Sequence, residues 1–199
     1  QLAEDCLQAA LLARGLEFPR VDVEGRFQRA ESIAKKVGHR QQQLRIVYSK
    51  AWTTFWWFND FEEFHVLYDQ VEELACGSIQ ATDLELLSNL RIVLHTTVMR
   101  NKLNPQAYKL DERTIKLKKE LERLIADKGR PSNALQARIK RLIIDIIESL
   151  SRGKSLDTSL AGIKDALIAC EGLAEFPVDS IAQIIQELGN FINDNVEYD

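Results

Sequence analysis

Residues 44–76, LRIVYSKAWTTFWWFNDFEEFHVLYDQVEELAC, decide the fold. From Arg45 to Phe58 the side chains of Tyr48, Ala51, Trp52, Phe55 and Phe58 recur at helical spacing, which puts them on one face. Asn59 tolerates the left-handed conformation that ends a helix. Asp60 is placed to accept from the free amides of a second helix, and Glu63, three residues on, completes a capping box. That second helix carries Phe61, Phe64, Tyr68, Val71, Leu74 and Ala75 on one side. Glu62, Glu63, Asp69, Glu72 and Glu73 lie on the other. So short a turn makes the two helices antiparallel. Nine of the fifteen aromatic residues fall between Tyr48 and Tyr68, so the rest of the chain is expected to stack on this hairpin.

Working outward, the pattern predicts a helix over 1–14 ended by Gly15, with Leu2, Cys6, Leu7, Ala10 and Leu11 apolar. A second runs from Arg20, after Pro19, to Val37, with Val23, Phe27, Ala30, Ile33, Ala34 and Val37 on one face and Gly38 as its stop. Beyond the hairpin, Thr82-Asp83-Leu84-Glu85 reads as a capping box opening a helix to about Asn101, with Leu84, Leu87, Leu90, Leu94 and Val98 inward. Asn104-Pro105 predicts a long helix to about Asp127. Gly129 and Pro131 break it, and Ser132 is expected to cap a helix with the widest aliphatic stripe, Leu135 to Leu150. Arg152-Gly153 ends that one. Leu156, Leu160, Ile163, Leu167 and Cys170 mark another, and Asp179 or Ser180 starts the last, through Ile181, Ile184, Ile185, Leu188, Phe191 and Ile192.

The expectation is therefore an all-α chain of about nine helices joined by short turns. No Gly/Ser/Pro-rich linker interrupts it, so residues 1–199 are read as one domain. At this length the chain can bury a core without metal or disulfide. Cys6, Cys76 and Cys170 are odd in number, far apart and close to apolar stripes, the pattern of buried reduced thiols in a cytoplasmic protein. No apolar run approaches the ~20 residues that span a bilayer. The chain begins at Gln1 within a helical pattern, and its single methionine is Met99, as expected of a piece of a longer protein.

The organising hairpin resembles the tetratricopeptide repeat, a helix-turn-helix unit of about 34 residues. The aromatic, small and apolar positions of that family fall on Tyr48, Ala51, Trp52, Phe55, Asn59, Asp60, Phe61, Phe64, Tyr68 and Val71. Trp52 stands where the family has Gly, and Phe64 and Val71 where it has Ala, so the repeat is divergent and its helices are held further apart. Phe27 and Ala30 echo Tyr68 and Val71 at an offset of 41 residues. The resemblance covers residues 1–77 and implies an αα-hairpin right-handed superhelix, with residues 78–199 as more degenerate hairpins and a cap. It is similar to the repeat arms of bacterial signalling ATPases and regulators. In such repeats the first helix of each hairpin lines a groove, and the resemblance places ligand positions on Ser49, Thr53, Trp56 and Trp57, with Arg45, Arg91 and His95 as further first-helix candidates. Consecutive aromatics at 55–58 cannot all face inward, so Trp56 and Trp57 either pack between repeats or contact a ligand.

Charge is uneven. Residues 100–154 hold 15 Lys/Arg against 7 Asp/Glu, a net of +8, while residues 155–199 hold 1 against 9, a net of −8. A basic middle is a possible phosphate footprint. Yet Lys116, Lys118, Lys119 and Arg123 alternate with Glu112, Glu120 and Glu122 at helical-neighbour spacing, the pattern of a solvated face. Tyr108 is the only aromatic there, which leaves no platform for stacked bases. His39, His65 and His95 lack a neighbouring Cys or carboxylate pair at ligand spacing, and the chain contains no phosphate loop, HExxH or GxSxG. The sequence reading is thus a non-catalytic module, without cofactor or metal, that binds a partner protein or peptide. The alternative is a nucleic-acid-binding repeat domain using residues 100–154.

Overall fold

In a computed structural model the chain is all-helical among the residues it describes, 1–171 together with Leu173, Gln186 and Gly189. Eight helices follow in order: α1 (Leu2–Gly15), α2 (Arg20–Val37), α3 (Arg40–Trp56), α4 (Phe61–Ala75), α5 (Ala81–Arg100), α6 (Leu110–Ile125), α7 (Pro131–Ser151) and α8 (Asp157–Cys170). The helix expected from Asp179 or Ser180 lies outside the described residues.

Two compact units emerge. Unit 1 comprises Gln1–Ser78 with Asn89–Asp111, and unit 2 comprises Ile79–Ser88 with the chain from Glu112 onward. In unit 1, α1 packs on α2 and α3 on α4, while α3 also contacts α2 and α1. The α1–α2 core is made of small and aromatic residues in contact: Ala3, Leu7, Ala10 and Ala13 meet Val23, Phe27, Ala30 and Ala34, with Ile46 from α3 completing the cluster. Alanines at the α1–α2 crossing let those helices approach closely, with Phe27 supplying the bulk there and Phe64 and Tyr68 supplying it on α4, each stabilising by roughly 1.5–3 kcal/mol through burial.

The turn between α3 and α4 forms as its residues dictate. Asn59 takes a φ of +50°, and the Asp60 carboxylate accepts from the Glu63 amide at 3.0 Å. The buried face of α3 is not the expected one. Leu44, Ile46, Val47, Ala51, Thr53 and Thr54 are buried, whereas Tyr48, Trp52, Phe55 and Phe58 are half-buried. The cause is that α3 is covered on two sides, by α4 and by the α1–α2 pair, so small residues occupy the close approaches and the large rings are displaced to the rim. On α4, Glu72 is buried despite its place on the polar side, and Leu67 joins the core.

Several boundaries differ from expectation. Helix α3 begins at Arg40, five residues before the expected start at Arg45. Thr82 lies inside α5, whose first amide, that of Ala81, is satisfied at 2.7 Å by the Asn133 side chain. Pro105 does not open α6. Residues 105–109 form turns, Asn104 caps the Gln106 amide, and Lys109 at φ +51° cannot continue a right-handed helix, so α6 starts at Leu110. Pro131 is the first residue of α7 and Arg130 its cap, which puts Ser132 within the first turn. Gly38 is extended rather than left-handed (φ −90°).

Unit 2 is tied together by polar contacts from α7. Arg130 and Asn133 donate to the Ile79 carbonyl, and Lys140 pairs with Glu85 at 2.6 Å. Lys118 of α6 bridges Asp145 and Glu148 of α7. Burial works to raise the Asp145 carboxyl, but hydrogen bonds from Arg141 and Lys118 outweigh it and hold the group below its ordinary range. Helix α7 packs on α8, where Gly162 gives room to the Leu142 side chain.

Candidate functional site

The end of α3 exposes what a folded chain ordinarily covers. Trp56 is 57 % exposed and Trp57 48 %. Trp56 ends a row along α3, Tyr48–Trp52–Trp56, with successive ring centroids 5.9 Å apart. Because these residues are four apart, one helical face aligns them. Phe55 sits edge-on to Trp56 at 4.9 Å and also meets Phe61 and Phe64 of α4. Phe61 continues to Tyr108, whose ring lies 5.0 Å away and whose hydroxyl donates to Glu62 at 3.1 Å. Burial, then that carboxylate, hold the Tyr108 hydroxyl above its ordinary range. On the other side, the Arg14 guanidinium lies 4.0 Å above the Trp57 ring and donates to the Thr53 hydroxyl at 3.2 Å.

Beside this surface is a groove of about 410 Å³ lined by Phe55, Asn59, Phe61, Thr97, Arg100 and Asn101. A second depression of about 270 Å³ is lined by residues including Glu31, Gln43, Gln70 and Glu73, and Lys50 pairs with Glu31 next to it.

The seven candidate residues divide by position. Trp56 and Trp57 are exposed, as is Arg45, which reaches Glu4 at 3.2 Å. Ser49 is half-buried and its carbonyl accepts from the Thr53 hydroxyl. Thr53, Arg91 and His95, by contrast, are buried at 0 %, 1 % and 4 % exposure. Their side chains serve the interior, because α3 and α5 are covered on the faces that carry them. Arg100, Asn101 and Tyr108 belong to the same surface, whereas the sequence reading takes Asn101 only as a helix end, Tyr108 only as the lone aromatic of the basic segment and Arg100 only as part of its charge, and Asn59 and Phe61 only as turn and core.

The basic segment is heavily paired. Lys118, Arg123, Arg130, Arg138, Lys140, Arg141 and Arg152 each lie within 4.0 Å of a carboxylate. None of the three cysteines is in a disulfide; Cys170 is buried, which pushes its thiol up, while Cys6 and Cys76 are half-buried. Among the described residues no three His, Cys, Asp or Glu side chains are grouped to hold a metal ion, and no helix is long and apolar enough to cross a membrane. Comparison of the chain with family models, curated proteins and solved structures returns no match.

Proposed function

We propose that this chain is a non-catalytic protein-interaction module, and that its partner docks on the aromatic surface at the end of α3. The observation that carries the reading is the exposed Trp56–Trp57 pair. Two neighbouring indoles left in water are costly, and Trp is the residue most enriched among binding hot spots. The flanking rings hold Trp56 in place, so little side-chain freedom is lost when a partner covers it.

The repeat architecture is part of the same proposal. Hairpins α1–α2 and α3–α4, the Asn59-Asp60 turn and the packing of α3 on both α1 and α2 support a divergent tetratricopeptide-like solenoid, with the chain acting as a scaffold or sensor arm of a larger cytoplasmic protein. The nucleic-acid reading keeps only its net charge, since the paired cations of α6 and α7 are already spent on carboxylates.

The test is a partner identified by proximity labelling and then measured with purified proteins. Trp56→Ala is expected to weaken binding by tenfold or more, about 1.4 kcal/mol, with the melting temperature nearly unchanged. Full binding by Trp56→Ala and Trp57→Ala would remove the proposal.

A further inference from the structure

We infer that the groove beside Trp56 receives an extended acidic segment of the partner protein, an inference that rests on the docking surface proposed above. Its lining has two kinds of group. Phe55 and Phe61 offer aromatic surface, and Asn59, Asn101 and Thr97 offer neutral hydrogen-bonding groups. Arg100, exposed, is the charged residue among the described residues that line it. Its guanidinium presents a planar fork of donors that suits a carboxylate.

Among the described residues none of the neighbouring carboxylates is ion-paired with Arg100; each is turned to another partner. Asp60 and Glu63 are held by Arg20 at 2.9 Å and 2.6 Å, and Glu62 accepts from Tyr108. The surface thus pairs an aromatic anchor with positive charge, and a peptide with an Asp or Glu beside an apolar side chain satisfies both. The carboxylate meets Arg100, the apolar group covers Phe55 and Phe61, and the carboxamides of Asn59 and Asn101 pair with the peptide backbone. At about 410 Å³ the groove falls within the ~300–1,000 Å³ range of ligand pockets.

The experiment is selection of a displayed library of short random peptides on the whole chain, repeated on Arg100→Glu and on Trp56→Ala. The wild-type pool is expected to be net negative with an apolar residue next to an acid. Arg100→Glu should lower the affinity of those peptides by about tenfold or more and turn its own selected pool toward Lys and Arg. A neutral or basic wild-type pool, or an acidic preference unchanged in Arg100→Glu, overturns the inference. If such peptides still depend on Trp56, the docking surface survives that failure. If Trp56→Ala enriches the same pool as wild type, the docking surface falls as well. Binding of a labelled single-stranded oligonucleotide abolished by Arg100→Glu, or a dimer lost in Trp56→Ala, assigns the surface to nucleic acid or to a second copy and equally overturns the acidic segment.

Discussion

The Arg40 guanidinium reaches the carbonyl oxygen of Glu73 at 2.7 Å, and with it closes the C-terminal end of α4 from the first residue of α3. The same group donates to the carbonyls of Leu74 at 2.9 Å and Cys76 at 2.8 Å. The last carbonyls of a helix lack partners within it and carry the negative end of its dipole, so one forked cation answers both needs. This contact fixes the hairpin whose α3 end bears the aromatic surface.

Removing that fork should be felt throughout unit 1. Arg40→Ala is expected to cost about 1–2 kcal/mol, less than three charged hydrogen bonds would suggest because the side chain is exposed. Arg40→Lys should recover only part of this, since an ammonium cannot span the three carbonyls. Urea denaturation followed by tryptophan emission measures it, because Trp52, Trp56 and Trp57 are the only tryptophans and all lie in unit 1. A variant with wild-type stability would show that the cap contributes nothing.

Acid should loosen the same unit through Asp60. The Glu63 amide, and then the Arg20 guanidinium, hold this carboxyl below its usual range. A group whose folded pKa is depressed contributes stability that is full above its unfolded value of about 3.9 and is lost as pH falls through the lower folded value. Tryptophan-monitored stability is therefore expected to decline below about pH 4. Asp60→Asn, which retains a capping oxygen but does not titrate, should show a shallower decline. Identical slopes for the two proteins would assign the acid sensitivity to other carboxylates.

Two glycines of unit 1 should respond to alanine with opposite sign. A Cβ on Gly38 would stand 2.7 Å from the Ala34 carbonyl oxygen and 2.9 Å from the Ala34 Cα, so backbone must move. Gly38→Ala is expected to destabilise by about 1–3 kcal/mol. Gly25 lies exposed in mid-α2 with nothing within 4 Å of the added carbon. There Gly25→Ala removes backbone freedom from the unfolded chain and should stabilise by up to about 1 kcal/mol. Thermal melting of both variants decides it, and shifts of the same sign would rule out the packing account.

Helices were legible wherever apolar periodicity and end signals agreed. Arg20–Val37 forms with the expected limits, and Asn59-Asp60 turns the chain as its side chains require. Periodicity is blind where the residues are polar, so the Arg40-Gln41-Gln42-Gln43 turn of α3 went unseen, and with it the cap on α4. Capping motifs also misled. Thr82 and Ser132 have the right chemistry, but the Asn133 side chain already serves the first amide of α5 and Pro131 sets the start of α7.

What the sequence determined by itself was the class of structure and the surplus of aromatics on one helix, because local spacing, turn residues and capping act within a few residues of each other. Which of those aromatics stay outside was decided only by tertiary packing. Ala51, Thr53 and Thr54 are small enough to lie between α3 and its neighbours on two sides, and that leaves Trp56 and Trp57 in solvent. The same packing buries Arg91 and His95 and brings Arg100, Asn101 and Tyr108 to rings that precede them by some forty residues or more. A groove drawn from such distant segments depends on how the helices cross, and no single stretch of the chain encodes that.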